Sequence, residues 1–276
     1  MLVTRRSRVI VAIVAIAAVI GALIGIRALW HRAEDALSSP KCTFGDYSLS
    51  PGQTAVAATM VGVVNKRGLP ERAAVIVLAA AYQESKLTNL AAGMGDRDSV
   101  GVLQQRPSQG WGTIAQLSNL HYATGKFLDA LVKLDDWKTT TIAHAIQQVQ
   151  ISADEGAYNQ HVQQATALAH VLIGKVPAGL TCEFDAPTVV APAATVAAQV
   201  KSDLPVNPPV ASGQTVRVPG AKWATAMWFV ANADRLGIDQ VGHAGQRWSR
   251  EKGWQADSTT GSDAVLATLA DKASGG

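Results

Sequence analysis

Apolar positions recur at helical spacing through the middle of the chain. Ser50-Pro51-Gly52-Gln53 has the composition of a helix start, with Ser as N-cap, Pro at the first position and Gln at the third. The apolar pattern then runs to about Lys66 and stops at Gly68. Pro70 opens a second pattern that continues to about Lys86. Two helices are therefore predicted in this stretch.

A segment rich in glycine, at residues 88–112, interrupts the helical pattern and is predicted to be a loop or a small hairpin. Helical patterns resume at about 113–119, 124–134, 140–150 and 155–173, and no alternating run of useful length separates them. The prediction for residues 41–184 is therefore an all-α bundle of five or six helices with one long loop. A structureless loop of that length inside a compact domain is usually functional.

The chain changes character after this bundle. Residues 185–213 are rich in Ala, Val and Pro, and such a composition favours a semi-extended linker. Residues 214–270 then show short strand patterns and one helical pattern, at 222–236, which predicts a small α/β accessory domain. Its tryptophans could form a sugar-stacking surface, but two of them, Trp223 and Trp228, share a helix stripe with Leu236, so we favour a packed core.

The N-terminus carries an uncharged apolar run, Val9–Ile26, preceded by three arginines within residues 1–8. Spanning a bilayer core takes about 20 residues, and the positive flank indicates a cytoplasmic N-terminus. We predict an uncleaved transmembrane signal anchor at residues 9–30, with the main domains outside the cytoplasm. A cleaved signal peptide is disfavoured because Arg27–Arg32 replaces the small-residue cleavage pattern. A buried soluble helix is disfavoured because every face of the run is apolar.

Composition narrows the class of partner. A hydrophobic content of 48% with 16% charged residues argues against wholesale disorder. The net charge of +3 allows contact with an anionic cell wall or membrane but is far from the basic patch that nucleic acid requires. The six His are scattered and no CxxC occurs, so no metal and no cofactor is predicted.

Cys42 and Cys182 are the only cysteines, and they lie just outside the first and last helical patterns of the bundle. An oxidising compartment permits a disulfide that ties the two ends of one domain together. We predict this pairing; two free thiols are the alternative.

Glu84 ends an almost wholly apolar stretch, Ala73–Ala81. Val77, Ala80 and Ala81 share its face of the predicted helix. Desolvation by such neighbours raises the pKa of a carboxyl group, and a proton held near neutral pH is what a general acid needs at a glycosidic oxygen. The alternative is a glutamate at a frayed helix end with its head in water.

Three motifs in order strengthen the catalytic interpretation: Glu84-Ser85, Gly101-Val102-Leu103-Gln104-Gln105 and Ala157-Tyr158-Asn159. Over roughly residues 50–175 the chain resembles the soluble lytic transglycosylase and goose-type lysozyme superfamily, with Val102 in place of a common Leu. The resemblance implies a lysozyme-like α-helical fold that binds peptidoglycan glycan in a groove, with Glu84 as the acid/base. The fold class expected for the whole chain is therefore mainly α, with a transmembrane helix before the lysozyme-like domain and a small α/β domain after it.

The resemblance also implies roles for other residues. Gln104 matches a glycan-binding glutamine, whose amide suits a sugar's acetamido group, and Gln105 is the adjacent alternative. Tyr158 matches a tyrosine near the catalytic acid, although a packing tyrosine would also fit. Asn159 and Ser85 are expected to help locally. Beside these matches, Trp111 could offer a stacking face at the groove edge.

Hydrolysis and transglycosylation remain alternatives at this stage. An inverting hydrolase needs a second carboxylate about 6.5–9.5 Å from the acid. Lytic transglycosylases lack it and let the muramyl 6-hydroxyl attack. Asp96 and Asp98 lie in the loop where such a base could reach, but Arg97 could equally pair with one while the other caps a turn.

The predicted function is cleavage of the β-1,4 bond between N-acetylmuramic acid and N-acetylglucosamine. A lysozyme-like scaffold that binds the wall without turnover is the alternative from another class. A transporter is disfavoured because only one apolar stretch is long enough to span a membrane.

Overall fold

The computed structural model describes Gly21 and residues 25–27, 40–151 and 156–271. The predicted anchor, 9–30, lies almost wholly outside these residues. Within the described part of the chain, no helix has the length and apolar character needed to cross a membrane. The structure is about 45% helix and 17% strand, with two antiparallel sheets. The expectation of a mainly α chain with a small C-terminal α/β domain is therefore wrong.

The helices of residues 51–172 form the bundle that the periodicity predicts. They are α1 (Pro51–Lys66), α2 (Glu71–Ser85), α3 (Ile114–Leu117), α4 (Leu120–Leu131), α5 (Ile142–Gln150) and α6 (Gly156–Leu172). The predicted N-cap at Ser50 is confirmed and is part of a capping box, since Ser50 accepts from the Gln53 backbone while the Gln53 side chain accepts from the Ser50 N–H. Helix α2 is buried along most of its length and packs between α1 and α6.

A small antiparallel sheet pairs the segment before the first helix of the bundle with the segment after its last helix. Its strands are β1 (Lys41–Phe44), β2 (Tyr47–Leu49) and β3 (Thr181–Glu183), in the order β2-β1-β3. Cys42 and Cys182 are register partners across β1 and β3, and they form a disulfide. The sequence pattern missed these strands because runs of three or four residues are too short to show a period of two.

The C-terminal residues build a second, six-stranded antiparallel sheet. Its strands are β4 (Val210–Ser212), β5 (Thr215–Pro219), β6 (Ile238–His243), β7 (Gln246–Ser249), β8 (Gly253–Ala256) and β9 (Ala264–Leu269), in the order β4-β5-β9-β6-β7-β8. The predicted helix is divided into α8 (Trp223–Ala231) and α9 (Ala233–Leu236), and α8 packs on the sheet. Because every pair of strands is antiparallel, the α/β description fails.

Residues 185–213 do not form the semi-extended spacer that their composition favours. They contain helix α7 (Ala193–Asp203), and its buried end reaches back to the bundle. Asp203 accepts hydrogen bonds from Thr59 of α1 and from the indole of Trp228 in α8. The described residues from Pro40 onward consequently form one compact unit.

The tryptophans of the second sheet are used for packing, as favoured from the helix stripe. Trp228 and Trp248 are buried, and Trp223 and Trp254 pack edge to face with their ring centroids 5.3 Å apart. Trp248 donates to the carbonyl of Cys182. All four rings therefore contact another part of the molecule or each other, rather than forming an open stacking surface.

Candidate active site

Glu84 lies at the C-terminal end of α2, where the helix stops abruptly. The next two residues after Ser85, Lys86 and Leu87, both adopt left-handed backbone conformations, and the Lys86 N–H donates to the Tyr82 carbonyl. A left-handed residue at this position terminates a helix by satisfying its last carbonyls. Glu84 is half-buried there, so its carboxyl group is neither in the core nor freely hydrated.

Tyr158 holds the Glu84 carboxyl group directly. It lies in the first turn of α6 and is 2% exposed. Its phenol oxygen donates to Glu84 Oε1 at 2.9 Å. The two residues are 74 positions apart, and the packing of α2 against α6 brings them together. The ring of Tyr158 is therefore buried in the core, as a packing tyrosine would be, and its hydroxyl group binds the Glu84 carboxyl group.

The loop after α2 places Gln104 over the same helix end. Ser85 Oγ donates to the Val102 carbonyl at 2.7 Å and so fastens the loop to the helix. Gly101 has a positive φ, and a Cβ there would lie 2.4 Å from the Leu117 carbonyl oxygen. The loop can therefore make its turn only with glycine at that position. Gln104 Nε2 donates to the Gly101 carbonyl at 2.8 Å, which fixes the direction of the amide.

The remaining predicted residues occupy different positions. Gln105 is 2% exposed, and its Nε2 donates to the Ala123 carbonyl in α4, so the glutamine points largely into the protein. Trp111 is partly buried and borders the pocket beside Glu84. Asn159 is exposed on α6. Ser85 is a positioning residue rather than an evident substrate contact.

Beside the Glu84 carboxyl group lies a pocket of about 200 Å³ lined by Glu84, Gln104, Gln105, Arg106, Gln109, Trp111, Gln150 and Ile151. Burial raises the pKa of Glu84, and hydrogen bonds from Tyr158 and Gln150 partly offset that rise. The net direction agrees with desolvation at the end of an apolar helix, where the charged form is disfavoured. A carboxyl group of this kind can retain a proton and release it to a bound acceptor.

Neither aspartate of the loop borders this pocket. Asp96 is 89% exposed, with Arg97 3.7 Å away. Asp98 accepts from Arg106 Nε and from the Ser108 N–H, both at 2.8 Å, and these partners lower its pKa well below the usual range. The alternative for the two aspartates therefore agrees with the structure: Arg97 pairs with Asp96, whereas Asp98 caps the turn at Ser108 and also pairs with Arg106.

Four further residues line the pocket and were not predicted from the sequence: Arg106, Gln109, Gln150 and Ile151. Arg106 and Gln109 follow Gln104 closely in the same polar loop, so their positions in the sequence could have indicated that they line the same pocket. Gln150 and Ile151 arrive from the end of α5, and nothing in the local pattern separates Gln150 from Gln147 or Gln148.

The arrangement can donate a proton to, and accept one from, a ligand that presents polar groups to the surrounding amides. In the described part of the chain, no group of three or more His, Cys, Asp or Glu side chains is placed to hold a metal ion. No family model matches the sequence, and no curated protein matches it.

Proposed function

We propose that this protein cleaves the β-1,4 glycosidic bond between N-acetylmuramic acid and N-acetylglucosamine in peptidoglycan, with Glu84 as the single acid/base. The observation that carries the proposal is the contact between Tyr158 and the Glu84 carboxyl group, 2.9 Å long, beside a pocket that Gln104 also lines. The contact brings together the Glu84-Ser85 motif and the Tyr158-Asn159 motif, and the pocket adds Gln104 from the motif between them. A glutamate at a frayed helix end would need neither a buried phenol partner nor a pocket.

The proposed reaction uses Glu84 twice. The protonated carboxyl group transfers its proton to the glycosidic oxygen as the bond from that oxygen to C1 of the muramyl residue breaks. The carboxylate that remains accepts the proton of the muramyl 6-hydroxyl group, whose oxygen bonds to C1. The product is a 1,6-anhydromuramyl end, and the enzyme regains its proton.

We favour this transglycosylase route over inverting hydrolysis because of the two aspartates. An inverting hydrolase needs a carboxylate that is free to activate water. Asp98 is engaged by Arg106 and by Ser108, and Asp96 lies in solvent at the outer side of the loop. Neither borders the pocket of Glu84.

A wall-binding scaffold without turnover is the second candidate, and the size of the pocket favours it. Ligand pockets usually measure about 300–1,000 Å³, whereas this one measures about 200 Å³. A glycan would therefore have to extend well beyond it. Under this alternative, Glu84 would bind a sugar hydroxyl group rather than transfer a proton.

The deciding experiment is incubation of the purified protein with purified peptidoglycan, followed by mass analysis of the released fragments. The wild type should release 1,6-anhydromuropeptides. Glu84→Gln keeps the size of the side chain but removes the titrating proton, so turnover should fall by at least the roughly 10²–10⁴-fold that general acid–base catalysis contributes. Gln83→Glu in the Glu84→Gln background is a matched control and should not restore activity. Wild-type protein that binds peptidoglycan but releases nothing would establish the scaffold alternative.

A location outside the cytoplasm belongs to the same proposal. The substrate lies there, and the disulfide between Cys42 and Cys182 suits an oxidising compartment.

A further inference from the structure

Gln150 connects three parts of the site, although no motif of the sequence singled it out. It is the last residue of α5, and its side chain lines the pocket together with Glu84 and Gln104. Its Nε2 donates to the Leu103 carbonyl at 2.9 Å. Because Leu103 directly precedes Gln104, this bond fixes the backbone from which the Gln104 side chain extends.

We propose that Gln150 is a positioning residue that holds the Glu84 carboxyl group and the Gln104 segment in one reactive arrangement, an inference that rests on the glycosidase function proposed above. On the side of the loop, the geometry supports it through the bond from Gln150 Nε2 to the Leu103 carbonyl. On the side of the acid, Gln150 and Glu84 line the same pocket, and Nε2 has a second proton that a carboxylate can accept. The hydrogen bond from Gln150 lowers the pKa of Glu84 against the effect of burial.

An amide suits this position better than a charged group. The proposed reaction requires Glu84 to be protonated in one step and ionised in the next. A Lys or Arg beside it would strongly favour the ionised state, and a second carboxylate would favour the protonated state. A glutamine donates to the carboxylate through Nε2 and can accept from the protonated acid through Oε1. It therefore permits both states.

The other titratable groups around Glu84 do not replace Gln150. From α6, Tyr158 donates to Glu84 Oε1, and His161 contacts Gln83 and stacks on the Tyr82 ring. From the loop, Arg106 is paired with Asp98. Among the described residues, Tyr158 and Gln150 are thus the hydrogen-bonding side chains that set the protonation balance of Glu84.

The end of α5 is well placed to hold Gln150. The helix buries Ala143, Ala145, Ile146 and Val149 against the bundle, and its N-terminus is capped by Thr141, which accepts from the His144 N–H. It ends immediately after Gln150 with Ile151 in the left-handed conformation. The position of the glutamine is therefore determined by packing rather than by contacts within the pocket alone.

The test is a ¹³C NMR titration of the Glu84 carboxyl carbon in the full chain, combined with the pH dependence of peptidoglycan release. The variants are Gln150→Ala and Gln150→Met; methionine keeps the length of the side chain without its donors. Both should raise the pKa of Glu84 and move the alkaline limb of the rate profile to higher pH. The loss of positioning should lower kcat by on the order of 10²-fold with a smaller change in KM. Gln148→Ala, which lies two residues away on a different face of α5, should behave as the wild type.

An unchanged Glu84 titration in Gln150→Met would overturn the proposal, as would an equal shift in Gln148→Ala. A loss of rate that is the same at all pH values, with no shift of the alkaline limb of the rate profile, would show that Gln150 has a purely structural role. That result would also overturn the proposal. Because the titration needs no turnover, an inactive wild type with a Gln150-dependent Glu84 titration would refute the proposed reaction while leaving the contact established.

Discussion

At the scale of the residue, the position of Glu84 is one that stability alone would not select. Among the described residues, Arg106 is the one cationic group that borders its pocket, and it is already paired with Asp98. Burial raises the pKa of Glu84 and the two donors only partly compensate. A group of this kind destabilises the folded state whenever it is ionised, and such groups cluster at functional sites.

Glu84→Gln should therefore stabilise the protein in a pH-dependent manner. A carboxyl group whose pKa is raised by folding contributes stability that is fully present below the unfolded pKa of about 4.3 and is lost as pH rises through the native pKa. The variant lacks this titration, so its Tm relative to the wild type should rise by a few degrees between pH 4 and pH 8. Thermal denaturation followed by circular dichroism at both pH values provides the measurement.

Glu183→Gln is the control, because Glu183 is exposed on β3 away from the pocket. The difference in Tm between Glu183→Gln and the wild type should not rise between pH 4 and pH 8 as it does for Glu84→Gln. A Tm difference for Glu84→Gln that is constant from pH 4 to pH 8 would contradict the raised pKa of Glu84 and, with it, the readiness of this residue to act as an acid.

At the scale of the element, the loop between α2 and α3 is held by three side-chain contacts around Gln104. Ser85 fastens it to α2 through Val102, Gln150 fastens it to α5 through Leu103, and Arg106 closes its outer turn on Asp98. These three attachments bracket Gln104. The loop is consequently a fixed wall of the pocket, which is what a substrate-positioning segment requires.

Variants of the two loop aspartates distinguish a catalytic role from a role in holding the loop. Asp98→Asn removes the ion pair with Arg106 and should loosen the loop, so activity should fall by roughly tenfold, within the range that misplacement of a substrate contact can cost. The products should still carry 1,6-anhydro ends. Asp96→Asn is the matched control, and it should leave both rate and products unchanged because Asp96 is almost fully exposed. Mass analysis of the released muropeptides measures both outcomes.

Complete loss of turnover in either variant, together with reducing-end products from the wild type, would identify that aspartate as the base of an inverting hydrolase. A wild-type rate in Asp98→Asn would instead show that the Arg106 contact has no part in holding the loop.

The sequence was a good guide to the elements that are long and strongly periodic. The starts and ends of α1 and α2 were predicted to within a residue or two, because capping residues and a glycine mark them. The proximity of Glu84, Gln104 and Tyr158 in the candidate site agrees with the order of the three motifs along the chain. Gln150 and the interior position of Gln105 were not predicted, because both depend on which helix packs beside the loop, and no local pattern encodes that contact.

At the scale of the whole molecule, the disulfide joins strands that begin and close the bundle. Cys42 and Cys182 are 140 residues apart and pair within the β1–β3 ladder. Replacing both by serine should lower the free energy of unfolding by about 2–5 kcal/mol, mainly because the unfolded chain regains its freedom. Urea denaturation of the double variant, compared with the disulfide-bonded wild type, measures this loss. Two alkylatable thiols in unreduced wild type would contradict it.

Composition misjudged the long-range organisation for a physical reason. Ala, Val and Pro favour a spacer only when their apolar side chains lack a surface to cover. Here α7 buries Val196 and Val200, and it delivers a charged residue, Asp203, into the interior between α1 and α8. The hydrogen bonds of Asp203 join residues that are far apart in the sequence, so no local pattern of apolar and polar residues predicts them.

These hydrogen bonds lead to a prediction about cooperativity. Asp203 is 4% exposed and accepts from Thr59, Trp228 and His121 at 3.1, 2.8 and 2.8 Å. Asp203→Ala leaves the buried Thr59 hydroxyl and the Trp228 indole without their acceptor, at a cost of about 1–3 kcal/mol each. Since roughly 1 kcal/mol moves Tm by about 2–4 °C in a chain of this size, the variant should melt several degrees lower. Ser202→Ala, on the neighbouring exposed residue, should melt with the wild type.

The form of the transition distinguishes one packed body from two domains on a linker. Because α7 and α8 both pack against α1, loss of Asp203 should lower a single transition seen equally by far-ultraviolet circular dichroism and by tryptophan fluorescence. The hydrogen bonds to Asp203 also lower its pKa despite burial, so its contribution to stability is present above the unfolded pKa of about 3.9 and is lost as pH falls through the native value. The Tm difference between wild type and Asp203→Ala should accordingly shrink in strong acid. Two separated transitions in the wild type, or an Asp203→Ala variant that changes only one of the two probes, would restore the view of residues 41–184 and 214–270 as independent domains.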